Sequence, residues 1–341
     1  MVKPLRFALV GAGMVAGHHV NALKAIPDAE LVGVCERNSD KALKFAQQHG
    51  ISKTFDCLDF LNDPNIDVVD VATPQESHAE IGIAAAKAGK HVIVEKPIDA
   101  DLKKADELIV TCHKEGVTLS VISQNRFTDA MAEVRAAVKS DVFGKIIEGD
   151  AYVKWYRPQS YYDNDAWRGT MKGEGGGVLI NQAIHFIDML LWIMGPVKSV
   201  FAYTNTVAHR METEDLAAAM LTFKSGAIGI IQGSTAMIPG LPARLEIHGT
   251  KGTVILEGTE ISFWQVEGEP PRSDKEKVEA SGANVPMAIP LEPFVRQFQD
   301  VINAIREGHQ PLVTGKEARK TLELIKVIYE SAKKGKVVEL P

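Results

Sequence analysis

Cysteine is scarce: the chain has 3, at Cys35, Cys57 and Cys112. They lie far apart, match no metal-ligand spacing and are odd in number, which argues against a disulfide framework and fits a reducing cytoplasm. A basic excess is also lacking. The net charge of -6 gives no broad attraction for nucleic acid or an anionic membrane, although a local basic pocket is compatible with it. No apolar run approaches the ~20 residues that a membrane span needs. The opening "MVKPLRFALVGAGMV" pairs positive charge with an apolar run, as a secretion signal does. Glycines break it and it passes into "HHVNALK", so it reads as a buried first strand. Repeats and low-complexity tracts are missing as well. What remains is an ordinary globular composition over 341 residues, 45% hydrophobic and 24% charged, long enough for two domains and a sizeable core. The most polar stretch, 267–286, reads as a mobile surface loop.

The first third alternates short apolar runs with helical patterns. "LRFALVGAG" is a strand entering a glycine turn, "HHVNALKAI" starts a helix and "ELVGVCER" is a second strand. "SDKALKFAQQHG" has a serine cap and a closing glycine. "IDVVDVATP", "HVIVEKP" and "VTLSVIS" continue the strands, with helices between them. Continuous apolar strands are buried on both faces, so residues 1–122 are expected to form an α/β Rossmann domain with a doubly wound parallel sheet. From 123 to 341 the grammar changes to an α+β domain. Strands follow one another without helices, "KSG" and "GTKG" look like hairpin turns, and a large open antiparallel sheet is expected. A late helix, 315–334, carries Ala318, Leu322, Ile325 and Tyr329 on one face, and either domain could receive it.

"GAGMVAG" supplies Gly11, Gly13 and Ala16, the G-x-G-x-x-A form of the dinucleotide fingerprint. Gly11 permits the tight turn, and Gly13 lets the backbone approach a pyrophosphate at the helix N-terminus. Glu36, at the end of the second strand, is placed to accept both ribose hydroxyls, which favours NAD over NADP. Arg37 beside it is the usual partner of a 2′-phosphate, but stacking on adenine suits it better here. NAD is therefore expected along Gly11, Ala12, Gly13, Met14 and Val15, and at Glu36, Arg37, Thr73, Pro74, Glu95 and Lys96. His78 is placed with them, although a position on the helix surface is an equal alternative. "VEKP" sets Glu95, Lys96 and Pro97 at the carboxyl end of a strand, the edge where open α/β sheets bind ligands. Lys96 could donate to a substrate hydroxyl or carry a proton.

"EGGGVLINQAIHFID" is apolar on most sides yet holds polar residues. At 100° per residue, Asn181, His185, Asp188 and Trp192 share one face. One reading is a satisfied buried network; the other is a catalytic face with histidine as the proton carrier.

These segments, with "QNRF", "WRGT", "LEIHGTKGTV" and "YESAKKGKVVEL", resemble the Gfo/Idh/MocA family over essentially the whole chain. The resemblance implies a bound nicotinamide cofactor (NAD), a small-molecule sugar or cyclitol substrate, and an open sheet that often forms a dimer or tetramer interface. The family's catalytic lysine falls on Lys96 and its catalytic histidine on His185. Both would also touch substrate. Asn125 of "QNRF" and the Trp167–Arg168 pair would lie at the cofactor. Many members carry aspartate four residues before the histidine, where this chain has Asn181. "WYRPQSYYDNDAWRGT" and "AYTNTVAHRMETEDLA" resemble the WlbA/WbpB-type subgroup, which oxidises the 3-hydroxyl of UDP-N-acetylglucosaminuronic acid. For that nucleotide-sugar, Arg126, Lys154, Arg157 and Arg168 could supply local positive charge. Arg157, Tyr161, Tyr162 and Asn181 would line the substrate. The alternatives are a dehydrogenase of inositol or another neutral sugar, and a non-catalytic NAD-binding sugar sensor. Having both Lys96 and His185 speaks against the sensor. No metal site is expected, since His185 and Asp188 lack a third ligand at recognisable spacing.

Overall fold

The computed structural model describes residues 3–56, 59–274 and 290–341. Cys57 and most of the expected surface loop, from 275 onward, lie outside the described residues. The first elements are β1 (Leu5–Val10), α1 (Ala16–Ala25), β2 (Ala29–Cys35), α2 (Ser39–Gln48), β3 (Thr54–Phe55), β4 (Val68–Val71), α3 (His78–Lys87), β5 (His91–Val94), α4 (Leu102–Lys114) and β6 (Leu119–Val121). The six strands form one parallel sheet in the order β3-β2-β1-β4-β5-β6. Phe7, Ala8 and Leu9 of β1 are wholly buried, as are Val68, Val69 and Val71 of β4. Unbroken apolar strands belong in such a centre, because helices cover both faces. Strand order reverses between β1 and β4, so the loops that leave these two strands flank the switch point. One detail differs from the sequence reading. Asn38, not Ser39, caps α2: its extended backbone lets its side chain accept from the Lys41 amide, while Ser39 is already helical.

The chain continues through α5 (Asp129–Lys139), β7 (Ile146–Lys154), α6 (Gln159–Asp163), α7 (Val178–Asn181), α8 (Ile184–Met194), β8 (Val197–Asn205), β9 (Leu216–Phe223), β10 (Ile228–Ser234), β11 (Arg244–Gly249), β12 (Gly252–Glu257) and β13 (Glu260–Val266). It ends with α9 (Glu292–Glu307), α10 (Gly315–Lys334) and β14 (Val338–Glu339). The second sheet has eight strands in the order β13-β12-β11-β7-β10-β9-β8-β14. It is antiparallel except at its centre, where β7 and β10 run parallel. The cause is topological: β7 leads into helices rather than a hairpin, and two further strands intervene before β10 returns beside it. Along β9, Ala217, Ala219, Leu221 and Phe223 are buried, whereas Ala218 and Met220 are exposed. One face of the sheet is therefore core and the other is open.

The chain divides into two compact units: Met1–Gln124 with Pro290–Arg319, and Asn125–Ile289 with Lys320–Pro341. Assigning everything after residue 122 to the second domain is thus corrected at 290–319. The reason is α9, whose apolar stripe of Phe294, Phe298, Val301 and Ile302 is buried. The Phe298 ring lies 6.2 Å from Phe7 and 5.3 Å from His19. Gln297 donates to the Val121 carbonyl and accepts from the Ser123 amide. The late helix α10 is shared: residues to Arg319 count with the first unit and those from Lys320 with the second. Leu322 and Ile325 are buried as its pattern predicts, but so are Leu324 and Ile328, while Ala318 and Tyr329 are half-buried. Phe298→Ala should destabilise the protein by about 3–5 kcal/mol, read by urea unfolding. A loss under ~1 kcal/mol would show that α9 does not build this core.

Candidate active site

In the first unit the glycine turn leaves β1. Gly11 has a φ of 106°, and a Cβ there would run into the Ala72 carbonyl, so only glycine fits. A Cβ on Gly13 would meet nothing within 4 Å, which leaves the backbone open to approach. Met14 is exposed, and Val15, which precedes α1, places no side chain on the first amides of that helix. Amides so presented suit a pyrophosphate. Glu36 follows β2. Its carboxylate accepts from the Ala12 amide at 3.2 Å and from Lys41 at 3.0 Å. Burial acts to raise its carboxyl, but Lys41 and the amides of Ala12 and Asn38 outweigh that and hold it below the usual range. An ionised carboxylate at the end of β2, tied to the glycine turn, fits the two hydroxyls of an adenosine ribose. Arg37 is exposed beside it.

Thr73 and Pro74 follow β4, and Ser77 donates to the Thr73 hydroxyl and the Pro74 carbonyl, each at 2.8 Å. Two expected cofactor ligands have protein partners here. His78 is wholly buried, with its ring nitrogens on the carbonyl oxygens of Pro97 (2.8 Å) and Thr73 (2.9 Å). It ties two loops together. Glu95 is 5% exposed. One of its oxygens meets His19 Nε2 at 3.0 Å and the other accepts the Lys96 amide at 2.8 Å. Lys96 itself is half-buried just beyond β5.

His19, which sequence reasoning passed over, is wholly buried between Glu95 and Asp70, its Nδ1 lying 2.9 and 3.0 Å from the two Asp70 oxygens. Burial alone would depress the imidazole, but the two carboxylates outweigh it and raise its pKa to about 10. The sequence signal was Asp70, a charge inside the apolar run "VVDV".

In the second unit the polar segment is broken rather than continuous. The Ala183 amide reaches back five residues to Val178, and the turn at 182–183 separates α7 from α8. Asn181 therefore ends α7, while His185 sits half-buried in the first turn of α8. The expected four-residue stripe does not survive as one functional face. Asp188 is 4% exposed and receives two hydrogen bonds from Arg126, each 2.7 Å, and one from Thr321. Arg126 and Arg135 lie over the Trp192 ring. Arg126, buried and neutralised by Asp188, is thereby corrected from a source of positive charge for substrate to a structural partner.

The glycines before α7 are explained within this unit. A Cβ on Gly177 would overlap the Glu214 carbonyl and one on Gly176 the Tyr329 hydroxyl. Glu214 accepts from the amides of Gly177 and Leu179 and from Tyr329. Burial raises its carboxyl above the usual range despite these donors. Glu174 is 1% exposed, and accepts the Gly169 amide at 2.7 Å and the Asn181 side-chain amide.

Arg157, Tyr161, Trp167 and Arg168 come together. The Arg168 guanidinium lies 4.4 Å from the Tyr161 ring centre and 4.5 Å from that of Trp167, and donates to the Tyr161 hydroxyl and to Asp165. Arg157 lies over Trp155 and Tyr161, and burial lowers its pKa. Gln182, next to Asn181, also donates to the Tyr161 hydroxyl. Lys154 is set over Tyr152. Tyr162 is 6% exposed, and its hydroxyl is shared with Thr235 at 2.7 Å. Asn125 is half-buried where the second unit begins, its carbonyl accepting from Thr128. Among the described residues no group of histidine, cysteine or acidic side chains could hold a metal ion, and no helix is long and apolar enough to cross a membrane.

Comparison with known proteins accords with this geometry. Residues 5–123 match the family model "Oxidoreductase family, NAD-binding Rossmann fold". Residues 131–255 match "GFO/IDH/MocA C-terminal domain". The WlbA dehydrogenase from Bordetella pertussis, solved with NADH and UDP-GlcNAcA, is 34% identical with a TM-score of 0.88, covering 99% of each chain. A D-apiose dehydrogenase from Paraburkholderia graminis is 27% identical over 99% of this chain and 90% of that protein. A myo-inositol 2-dehydrogenase from Thermotoga maritima is 26% identical over 94% of each.

The His19 ion pairs predict a pH signature. A pKa raised in the folded state stabilises fully below the unfolded value of about 6.5, and that stability is lost as pH rises through about 10. Asp70→Asn should therefore lower Tm most near about pH 6, with the gap to the parent narrowing toward pH 10. A gap constant across that window would contradict the charged imidazole.

Proposed function

The chain belongs to the Gfo/Idh/MocA oxidoreductase family, with that family's NAD-binding Rossmann domain, and on that premise we propose that it oxidises the 3-hydroxyl of a UDP-linked N-acetylated uronic acid. The observation that carries the reading is the likeness, along the whole of both chains, to a dehydrogenase whose structure holds that nucleotide-sugar. The guanidinium groups of Arg157 and Arg168, which meet on the Tyr161 ring with Arg157 buried and Arg168 paired to Asp165, support it, since diphosphate and carboxylate are both anions. Asn181 supports it too: an amide stands where a carboxylate would repel an anionic sugar.

NAD, when bound, supplies the hydride acceptor. The glycine turn, the first amides of α1 and Glu36 hold it. His185 takes the hydroxyl proton, and Lys96 donates a hydrogen bond to the same oxygen and steadies its developing charge. Glu174 orients the Asn181 amide beside the reacting sugar.

A neutral sugar or cyclitol is the second reading. It gains from the pairing of Arg126 with Asp188, which removes one cation from the anionic reading. Turnover of UDP-N-acetylglucosaminuronate, D-apiose and myo-inositol, scored by NADH absorbance, separates the two: activity on myo-inositol alone would overturn the uronate. Lys96→Ala and His185→Ala should each lower kcat by roughly 100-fold or more while NAD still binds. Near-normal turnover in either variant would remove that residue from the mechanism.

The open face of the second sheet supports a homo-oligomer. Tyr203, Met220 and Ile228 are exposed on the neighbouring strands β8, β9 and β10, with Met220 paired in register to Phe201 and Ile230. Light scattering should find a dimer or tetramer that Met220→Glu dissociates. A monomeric parent protein would refute it.

A further inference from the structure

Three ionisable side chains are buried beneath the first sheet's carboxyl edge and take no part in the reaction proposed above. His19 and Asp70 are 0% exposed and Glu95 is 5% exposed. They form one chain: Asp70 on β4 to His19 on α1, then His19 to Glu95 at the end of β5. Removing such groups from water is costly, and an apolar trio of similar volume is often as stable or more so. Stability alone therefore gives no reason for this arrangement. What it does give is direction, because hydrogen bonds fix orientation where apolar packing does not.

The direction ends on Lys96. Glu95 divides its oxygens, one on His19 and one on the Lys96 amide. The next residue is held as well, since His78 takes the Pro97 carbonyl and ties it to Thr73. The backbone of Lys96 is thus gripped on both sides. Without His19, the Glu95 carboxylate would lose a charged partner and lie beside Asp70 with nothing between, so its grip on the Lys96 amide would loosen. Phe294 and Phe298 of α9 pack on the His19 ring and close it from water.

We propose that His19, braced by Asp70, is a positioning residue for Lys96, acting through the Glu95 carboxylate. The proposal rests on the reading of Lys96 as catalytic, and the test keeps the two apart. The full chain carries His19→Gln or, as a milder change, Asp70→Asn. Each is made with Lys96 intact and with Lys96→Ala, and all are assayed with NAD and UDP-N-acetylglucosaminuronate, D-apiose and myo-inositol. With Lys96 intact, either change should lower kcat roughly 10- to 100-fold while KM for NAD stays within about threefold. On the Lys96→Ala background the same change should cost less than about twofold further, the non-additivity of groups that act as one. Hydrogen exchange at the Lys96 amide, which needs no substrate, should quicken about tenfold or more in both single variants. Unchanged kcat, a full multiplicative loss on the Lys96→Ala background, or unchanged exchange at that amide would each overturn the positioning role. Near-normal turnover of Lys96→Ala alone would instead overturn the catalytic reading of Lys96.

Discussion

An imidazole sealed between two carboxylates joins three elements of the first unit at one point. His19 lies on α1, four residues beyond Val15, so the helix that offers its amides to a pyrophosphate is anchored by its own second turn. Asp70 lies on β4 and Glu95 ends β5. The helix after the glycine turn and the strands β4 and β5 are therefore bound to a common point. The cover over that point comes from a distant part of the chain, α9, whose phenylalanines exclude water. Buried charge is tolerable only when paired, so the cover and the pairing depend on each other.

In the second unit the corresponding constraint is backbone proximity. Gly176 and Gly177 exist because Tyr329 and Glu214 occupy the space where side chains would go. The same Glu214 then caps the short α7, and the break after Asn181 gives His185 a separate helix. Arg126, Asp188 and Thr321 close the buried side of that helix. The greasy segment thus contains two kinds of polar residue. Asp188 is satisfied structure, whereas Asn181 and His185 are half-buried.

Much of this was legible in the sequence. Apolar runs alternating with helical periods gave the parallel sheet, "GAGMVAG" gave the tight turn after β1, and Gly226, with a φ of 89°, closes the hairpin that "KSG" announced. What was hidden depended on partners remote in the chain. Periodicity placed Asn181 and His185 on one stripe because it assumes an unbroken helix, and one amide reaching back five residues shifts the phase. His78 and Glu95 are also bonded to groups far away in the chain, Pro97 and His19, which no local pattern shows. The stripe of α9 was visible at Phe294, Phe298 and Val301. Its place in the first unit was not, since nothing local says which core a late helix joins.

We propose that hydride leaves C3 of a UDP-linked uronic acid, with proton and charge handled by His185 and Lys96. Isotope tracing tests this most directly. UDP-N-acetylglucosaminuronate carrying deuterium only at C3 is incubated with the protein and NAD, and the nucleotide is analysed by mass spectrometry. The account predicts reduced nucleotide carrying the deuterium. Reduced nucleotide without the label, or no reduced nucleotide from this sugar while a neutral sugar is oxidised, would contradict it.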